Sequence, residues 1–271
     1  MPELPEVETT LRGLMPHLLG RQVIQVLVRT PALRWPLPDN LAQLLCGQTI
    51  LGLSRRAKYL LIAFEHGTVL LHLGMSGHLR LVPTHTPAGK HDHIDLQLND
   101  GQQLRYNDPR RFGALLWLEQ NPQTHPLLCR LGPEPFAPEM TGGYLYGLGQ
   151  GRRATVKSFL MDQRVVVGVG NIYASEALFR AGIHPQRPAG RISKARFDAL
   201  AAAIREVLSA AIAAGGTTLR DFSNAAGRPG YFSQQLRVYG RSGQPCPNCG
   251  APLSQQRIAQ RASYFCGHCQ H

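Results

Sequence analysis

Gly132-Pro133-Glu134-Pro135-Phe136-Ala137-Pro138-Glu139 divides this 271-residue chain into two halves of different character. Its prolines fix φ and favour extended backbone, so Leu131 to Glu139 reads as a stiff hinge between domains. Upstream, short apolar runs alternate with turn signals. Val23 to Val28, Tyr59 to Phe64, Thr68 to Leu73, His93 to Leu98 and Gly113 to Leu118 read as strands, with His66-Gly67 and Asp100-Gly101 as hairpin turns. Many short strands with local turns predict an antiparallel sandwich or flattened barrel. Ahead of them Val7, Leu11 and Leu14 recur at helical spacing, in a helix that Pro16 must kink or end. Downstream the chain turns helical. Ser193 is a good N-cap, Phe197, Leu200, Ile204, Leu208 and Ile212 share one face, and Gly215-Gly216 ends that helix.

Composition narrows the function. Lys and Arg total 29 against 17 Asp and Glu, a net charge of +12 with a pI near 9.9. A chain this basic with 43% hydrophobic residues is a folded protein facing a polyanion, and nucleic acid leads that class. No juxtamembrane block of Lys/Arg, no apolar run of transmembrane length and no basic signal-peptide start is present, so an intracellular, soluble protein is expected. Four of the six cysteines fall in the last 26 residues, which points to metal binding rather than a disulfide framework.

Those four form Cys246-Pro247-Asn248-Cys249, sixteen residues, then Cys266-Gly267-His268-Cys269. Two Cys-x-x-Cys knuckles at this separation wrap one tetrahedral zinc with four thiolates and leave no open position for catalysis, so the site is structural. Two vicinal redox pairs are the competing reading. The residues between, with Ile258, Tyr264 and Phe265 among Gln and Arg, suit a β-hairpin on which Arg257, Gln260 and Arg261 reach phosphates.

At the other end, Met1-Pro2-Glu3-Leu4-Pro5-Glu6-Val7-Glu8 sets an amine beside carboxylates. Removal of Met1 leaves Pro2 as a secondary amine. An α-amino group titrates at about 7.7–8.0, so part of it is a neutral nucleophile at neutral pH. Attack on a sugar C1′ by a secondary amine yields an iminium, an electron sink for base loss and β-elimination, and Glu3 and Glu6 are suited to moving the protons. Acidic residues and proline in a first turn also simply complement a helix dipole, so this motif alone decides nothing.

Other stretches carry weaker signals. Arg55-Arg56-Ala57-Lys58-Tyr59 places basic groups just before a strand. His72-Leu73-Gly74-Met75-Ser76-Gly77 and Asn107-Asp108-Pro109-Arg110-Arg111-Phe112-Gly113 read as glycine-flanked loops presenting a large side chain suited to wedging into a base stack. Gly168-Val169-Gly170-Asn171 opens a helix whose N-terminus suits a phosphate, and equally reads as a tight turn capped by Asn171.

Taken together, Pro2 to Thr9, Arg56 to Tyr59, His72 to Gly77, Lys90 to His93, Asp108 to Gly113, Gly168 to Glu176, Gly215 to Thr218, Pro229 to Phe232 and the four cysteines make the chain resemble the bacterial formamidopyrimidine-DNA glycosylases over essentially its whole length. The resemblance implies an α+β, two-domain fold. Its parts would be an N-terminal antiparallel β-sandwich with flanking helices over 1–131, a helical helix-two-turn-helix domain over 132–236 and a zinc-bound β-hairpin over 237–271. It implies Pro2 as Schiff-base nucleophile, Glu3 as proton donor or acceptor at the deoxyribose and Lys58 as a further proton donor. Met75, Arg110 and Phe112 would fill the space left by an everted base, with Arg110 reading the orphaned partner. Asn171 and Arg261 would clamp phosphates, Arg261 counting also among the catalytic residues, with His91 and Arg111 as additional DNA contacts. The loop from Thr217 to Tyr231 is similar to one that covers the damaged purine. The cofactor implied is one structural Zn2+ held by Cys246, Cys249, Cys266 and Cys269. The partner implied is double-stranded DNA carrying an oxidised base, bound by a monomer in the bacterial cytoplasm and nucleoid.

The activity implied is excision of oxidised purines followed by β,δ-elimination. Two alternatives stay open. An endonuclease VIII-like enzyme would act on oxidised pyrimidines, although Leu4 stands where that class typically has Gly. A non-catalytic zinc-dependent DNA-binding protein would have no need of Pro2 and Glu3.

Overall fold

The computed structural model describes residues 2–217 and 235–271. The chain forms two compact units, Met1–Cys129 with Ala214–Tyr231, and Arg130–Ala213 with Phe232–His271. Most of the 217–231 loop and the 229–232 stretch singled out above lie outside the described residues.

The first unit opens on α1 (Leu4–Leu18), followed by β1 (Val23–Val28), α2 (Leu41–Leu45), β2 (Gly52–Arg56), β3 (Tyr59–Phe64), β4 (Gly67–His72), β5 (His78–Pro83), β6 (Asp92–Leu98), β7 (Gln102–Asn107) and β8 (Ala114–Leu118). They make two four-stranded antiparallel sheets, ordered β1-β6-β7-β5 and β2-β3-β4-β8. Val23, Val26, Leu96 and Leu98 from one sheet and Leu60, Ile62, Val69 and Leu71 from the other share a core with Val7, Leu11 and Leu14 of α1. The sandwich therefore forms because alternate strand residues and one helix stripe need the same dry space.

Pro16 does not end α1, which runs on to Leu18. Near a C-terminus a missing N–H costs only a bond in a turn that is already ending. Arg55 and Arg56 close β2, and Ala57 with Lys58 forms the tight turn into β3, so these basic groups stand just before a strand, as expected. The strand expectations above pass over β2, β5 and β7, whose apolar residues are few: β2 has only Leu53, Leu79 and Leu81 flank Arg80 in β5, and Leu104 and Tyr106 flank Arg105 in β7. Arg105 is nonetheless only 1% exposed, since Asp95 accepts Nε at 2.8 Å and a terminal nitrogen at 2.9 Å.

The second unit holds α3 (Gly142–Gly149), α4 (Val156–Met161), α5 (Asn171–Arg180), α6 (Lys194–Ala213) and the hairpin β9 (Ser254–Ile258) with β10 (Arg261–Phe265). Ser193 Oγ accepts the Arg196 N–H at 3.4 Å at the head of α6. Phe197, Leu200, Ile204 and Leu208 are buried along it, and the 3.6-residue period then selects Ala211 for the core and leaves Ile212 half-buried. The proline-rich segment is strapped onto this unit. Gly132 N–H donates to Gln163 O (2.8 Å), Val167 N–H to Pro133 O (3.1 Å) and Arg205 Nε to Pro135 O (3.1 Å). Among the described residues no helix is long and apolar enough to cross a membrane.

Candidate active site and nucleic-acid interface

In the first unit the N-terminus is held by one carboxylate. Glu6, only 2% exposed, accepts the Glu3 N–H on one oxygen (2.8 Å) and the Thr217 N–H on the other (2.8 Å). Pro2 and Glu3 are buried beside it. One turn on, Glu8 joins α1 to the β2–β3 turn. Its carboxylate accepts Arg55 Nε at 2.9 Å, while Arg55 also donates to Ala57 O at 2.8 Å. Burial raises the Glu8 pKa, but hydrogen bonds and charge from Arg55 and Arg12 outweigh it and hold the carboxyl below its ordinary range. The strap fixes Lys58, 8% exposed in a turn where Ala57 takes φ +55°.

Two loops meet nearby in the same unit. His72 Nδ1 accepts the Gly74 N–H at 2.9 Å, which assigns the proton to Nε2. Burial, then the charges of Lys58 and Arg34, push its pKa down to about 4, so the ring is neutral at physiological pH. Gly74 has φ +66°, and a Cβ there would stand 2.4 Å from Gly113 N, so only glycine lets the two loops touch. Asp108, fully buried, ties them together: its carboxylate accepts Ser76 Oγ (2.8 Å), Tyr106 OH (3.1 Å) and Gly113 N–H (2.8 Å). Asp108 N–H in turn donates to His91 O at 3.0 Å. From this base Met75 and Phe112 stand 37% and 46% exposed, and the Arg110 guanidinium lies 4.9 Å from the Phe112 ring centre. Arg111 between them has φ +53°. Two large apolar tips thus stand exposed on a base fixed by buried hydrogen bonds.

In the second unit the four Sγ atoms of Cys246, Cys249, Cys266 and Cys269 lie within 4.8 Å of one another, with pairs at 3.9 and 3.6 Å. Thiolates at about 2.3 Å from a tetrahedral zinc stand about 3.8 Å apart, so the set fits that ion. Hydrogen bonding from Cys249 and then burial push the Cys269 thiol up, a cost to the thiolate that a divalent cation offsets. Across the hairpin Ile258 pairs with Arg261, leaving a two-residue turn in which Ala259 and Gln260 both have positive φ, 45° and 63°. Arg261 is exposed just beyond it. Asn171, at the first position of α5, donates Nδ2 to Ala262 O (3.0 Å) and Tyr239 OH (3.3 Å), which leaves Oδ1 buried with no partner. Its amide thus braces the hairpin beside Arg261.

The comparisons with known proteins follow the same division. Residues 1–115 match the formamidopyrimidine-DNA glycosylase N-terminal domain, 131–223 its H2TH domain and 243–271 the zinc finger found in FPG and IleRS. The formamidopyrimidine-DNA glycosylase of Syntrophotalea carbinolica is 61% identical over 270 residues, covering all of both chains. This chain belongs to the formamidopyrimidine-DNA glycosylase family. Among solved structures of that family, the MutM (FPG) protein from Thermus thermophilus superposes with a TM-score of 0.88 at 43% identity, covering 99% of this chain and 98% of that one. A Lactococcus lactis FPG variant in complex with Fapy-dG-containing DNA gives 0.92 at 33% identity, covering 100% of each chain.

Several groups that build this glycosylase's site went unassigned in the sequence. Asp108 reads there as an ordinary turn residue before Pro109. Glu176 is 4% exposed within a helix that is otherwise apolar on that side, and it accepts the N–H groups of Arg237 (2.9 Å), Val238 (3.0 Å) and Tyr239 (2.8 Å). Burial raises its pKa against those three donors. Lys157, 1% exposed, donates Nζ to Ser263 Oγ (2.7 Å) and Ala262 O (3.2 Å) under the zinc hairpin. The available signal was a single charged residue inside an apolar helical run, Glu176 in α5 and Lys157 in α4, which a fold buries only with partners.

Proposed function

We infer that this chain is a bifunctional DNA glycosylase and AP lyase of base excision repair, removing oxidised purines such as 8-oxoguanine and formamidopyrimidines from duplex DNA. Family membership along the whole chain supports the activity and the substrate class. The observation that carries the chemistry is the N-terminus, where the Glu6 carboxylate fixes the Glu3 backbone and thereby the amine of Pro2, next in sequence.

In the proposed mechanism Met1 is removed, the free Pro2 amine attacks C1′ of the damaged nucleotide and the C1′–N9 bond breaks, the base leaving with a proton. Glu3 relays protons at the deoxyribose, donating one to O4′ as the C1′–O4′ bond opens to give an iminium. The resulting iminium acidifies C2′, so the 3′ phosphate leaves by β-elimination and the 5′ phosphate by δ-elimination, with Lys58 supplying protons. Met75, Arg110 and Phe112 occupy the gap in the duplex, Arg110 paired with the orphaned base. His91 and Arg111 add DNA contacts, and Arg261 with Asn171 grips the backbone. The four cysteines hold one zinc, which supplies order to the hairpin and no chemistry. We place the catalytic sandwich at 1–131, the helical domain at 132–236 and the zinc hairpin at 237–271, in a monomer working in the bacterial cytoplasm at the nucleoid.

Borohydride trapping on a duplex with 8-oxoguanine opposite cytosine tests this directly. A stable adduct mapped by mass spectrometry to Pro2 is expected, and an adduct on Lys58 instead would move the nucleophile. Pro2→Gly and Glu3→Gln should each slow base release by about 10²–10⁴-fold while duplex binding persists. Undiminished excision in either variant removes that residue from the mechanism.

A further inference from the structure

The loop of residues 29–37 lies in the first unit and has no part in the mechanism above. It is rigid by construction. Thr30 Oγ1 donates to Ala32 O (3.0 Å), Leu33 N–H to Trp35 O (3.0 Å) and Leu37 N–H to Pro31 O (3.0 Å), while Leu33 and Leu37 are buried as anchors. Between the anchors Arg34 is exposed, with its guanidinium 5.3 Å from the centre of the Trp35 ring. Stacking of this kind holds a long side chain in place without neutralising it.

Its position is what distinguishes it from an ordinary surface arginine. Arg34 N–H donates to Gly113 O at 2.9 Å, which fixes it to the end of the loop bearing Arg110 and Phe112. On the other side its charge acts on Tyr59 and on His72, cross-strand partners in β3 and β4, and the charge of Lys58 acts on the same His72. Two cations therefore converge on one small region. Among the described residues no carboxylate lies within ion-pair distance of Arg34. Arg34 itself thus keeps a charge that no carboxylate among the described residues neutralises, and an arriving anion lowers its energy.

We propose that Arg34, braced on Trp35, is a further DNA-contact residue that takes a backbone phosphate flanking the everted nucleotide. The assignment rests on the roles given above to Lys58 and to the loop carrying Arg110 and Phe112. A guanidinium suits it, since its planar fork meets two phosphate oxygens at once.

The test is binding to a duplex containing a non-cleavable abasic analogue, followed as a function of salt. Each phosphate contact contributes about 0.9 to the slope of log K against log[salt]. Arg34→Gln, which removes the charge and keeps most of the length, should lower the slope by about that amount, and Arg34→Lys should retain the wild-type slope. Equal slopes for wild type and Arg34→Gln overturn the proposal. A flat response in the wild type would instead sink the DNA-binding reading beneath it. Single methylphosphonate linkages walked along the damaged strand give a second readout: one linkage should weaken the wild type and leave Arg34→Gln indifferent. If every linkage that matters to the wild type matters equally to Arg34→Gln, Arg34 touches none of them.

Discussion

The wedge loops around Asp108 and the zinc hairpin solve the same problem with different materials. Each must hold exposed cationic or apolar tips on tight turns, and each uses non-glycine residues at positive φ, Arg111 in one and Ala259 with Gln260 in the other. Ala57, beside Lys58, is the fourth such residue among those described. Backbone in that region costs of order 1–3 kcal/mol per residue and persists only where the surroundings over-determine it. The wedge loops draw on a large sandwich core and one buried carboxylate with three donors. The zinc hairpin is backed by a cluster of five buried residues, Phe179, Val238, Cys246, Leu253 and Cys266, two of them thiolate ligands. Where a core is large a hydrogen-bond hub suffices to set a loop; where it is small, the ion must do it.

The largest effect expected from this contrast is metal removal. A zinc chelator, or Cys246→Ser, should erase hydrogen-exchange protection over residues 254–265 and abolish duplex binding, because structural zinc carries an apparent ~10–16 kcal/mol. Protection over residues 92–107 should survive. Loss of both together would show that the two regions are one cooperative unit and break the comparison.

Asp108→Ala addresses the other side. It strands the Ser76 and Tyr106 hydroxyls and the Gly113 N–H, so urea melts should show a loss of roughly 2–4 kcal/mol in the first unit. Metal affinity should be unchanged.

The pH response comes next. The unfolded His72 ring protonates near its ordinary 6.5, whereas the folded one stays neutral down to about 4. Between those values the unfolded chain binds more protons, so stability falls as pH drops, by up to about 1.4 kcal/mol per pH unit. His72→Gln should flatten melts recorded across that window, and an unchanged slope would assign the acid sensitivity to other groups.

Smallest is Ala259→Gly. Relief of a left-handed alanine should stabilise the zinc-loaded hairpin by about 1 kcal/mol, read as slower zinc release to a chelator. No change would mean that the turn is unstrained and the analogy with Arg111 fails.

Much of this was open to a reader of the sequence alone. The Cys-x-x-Cys spacing specifies a four-thiolate site because ligand number and separation are local properties. The core strands β1, β3, β4, β6 and β8 announce themselves within a residue, since short apolar runs bounded by turn residues must find a dry space whatever the fold. The strands bearing Arg55, Arg80 and Arg105 do not, because their burial depends on carboxylates that arrive from elsewhere, Glu8 for the first and Asp92 or Asp95 for the others. The basic composition, the helix of Pro2 to Glu8, the glycine-flanked loops and the family resemblance are in the same way properties of residue order.

Only the tertiary structure decided how those pieces are held. That Glu6 spans from Glu3 to Thr217, that Asp108 binds two loops into one wedge, and that Asn171 turns its amide toward Ala262 rather than outward are contacts between residues far apart in the chain. A sequence fixes which groups are present and their local geometry. Which buried donor meets which acceptor is set by the whole packed fold, because each pairing is stable only once every other one has excluded water from it.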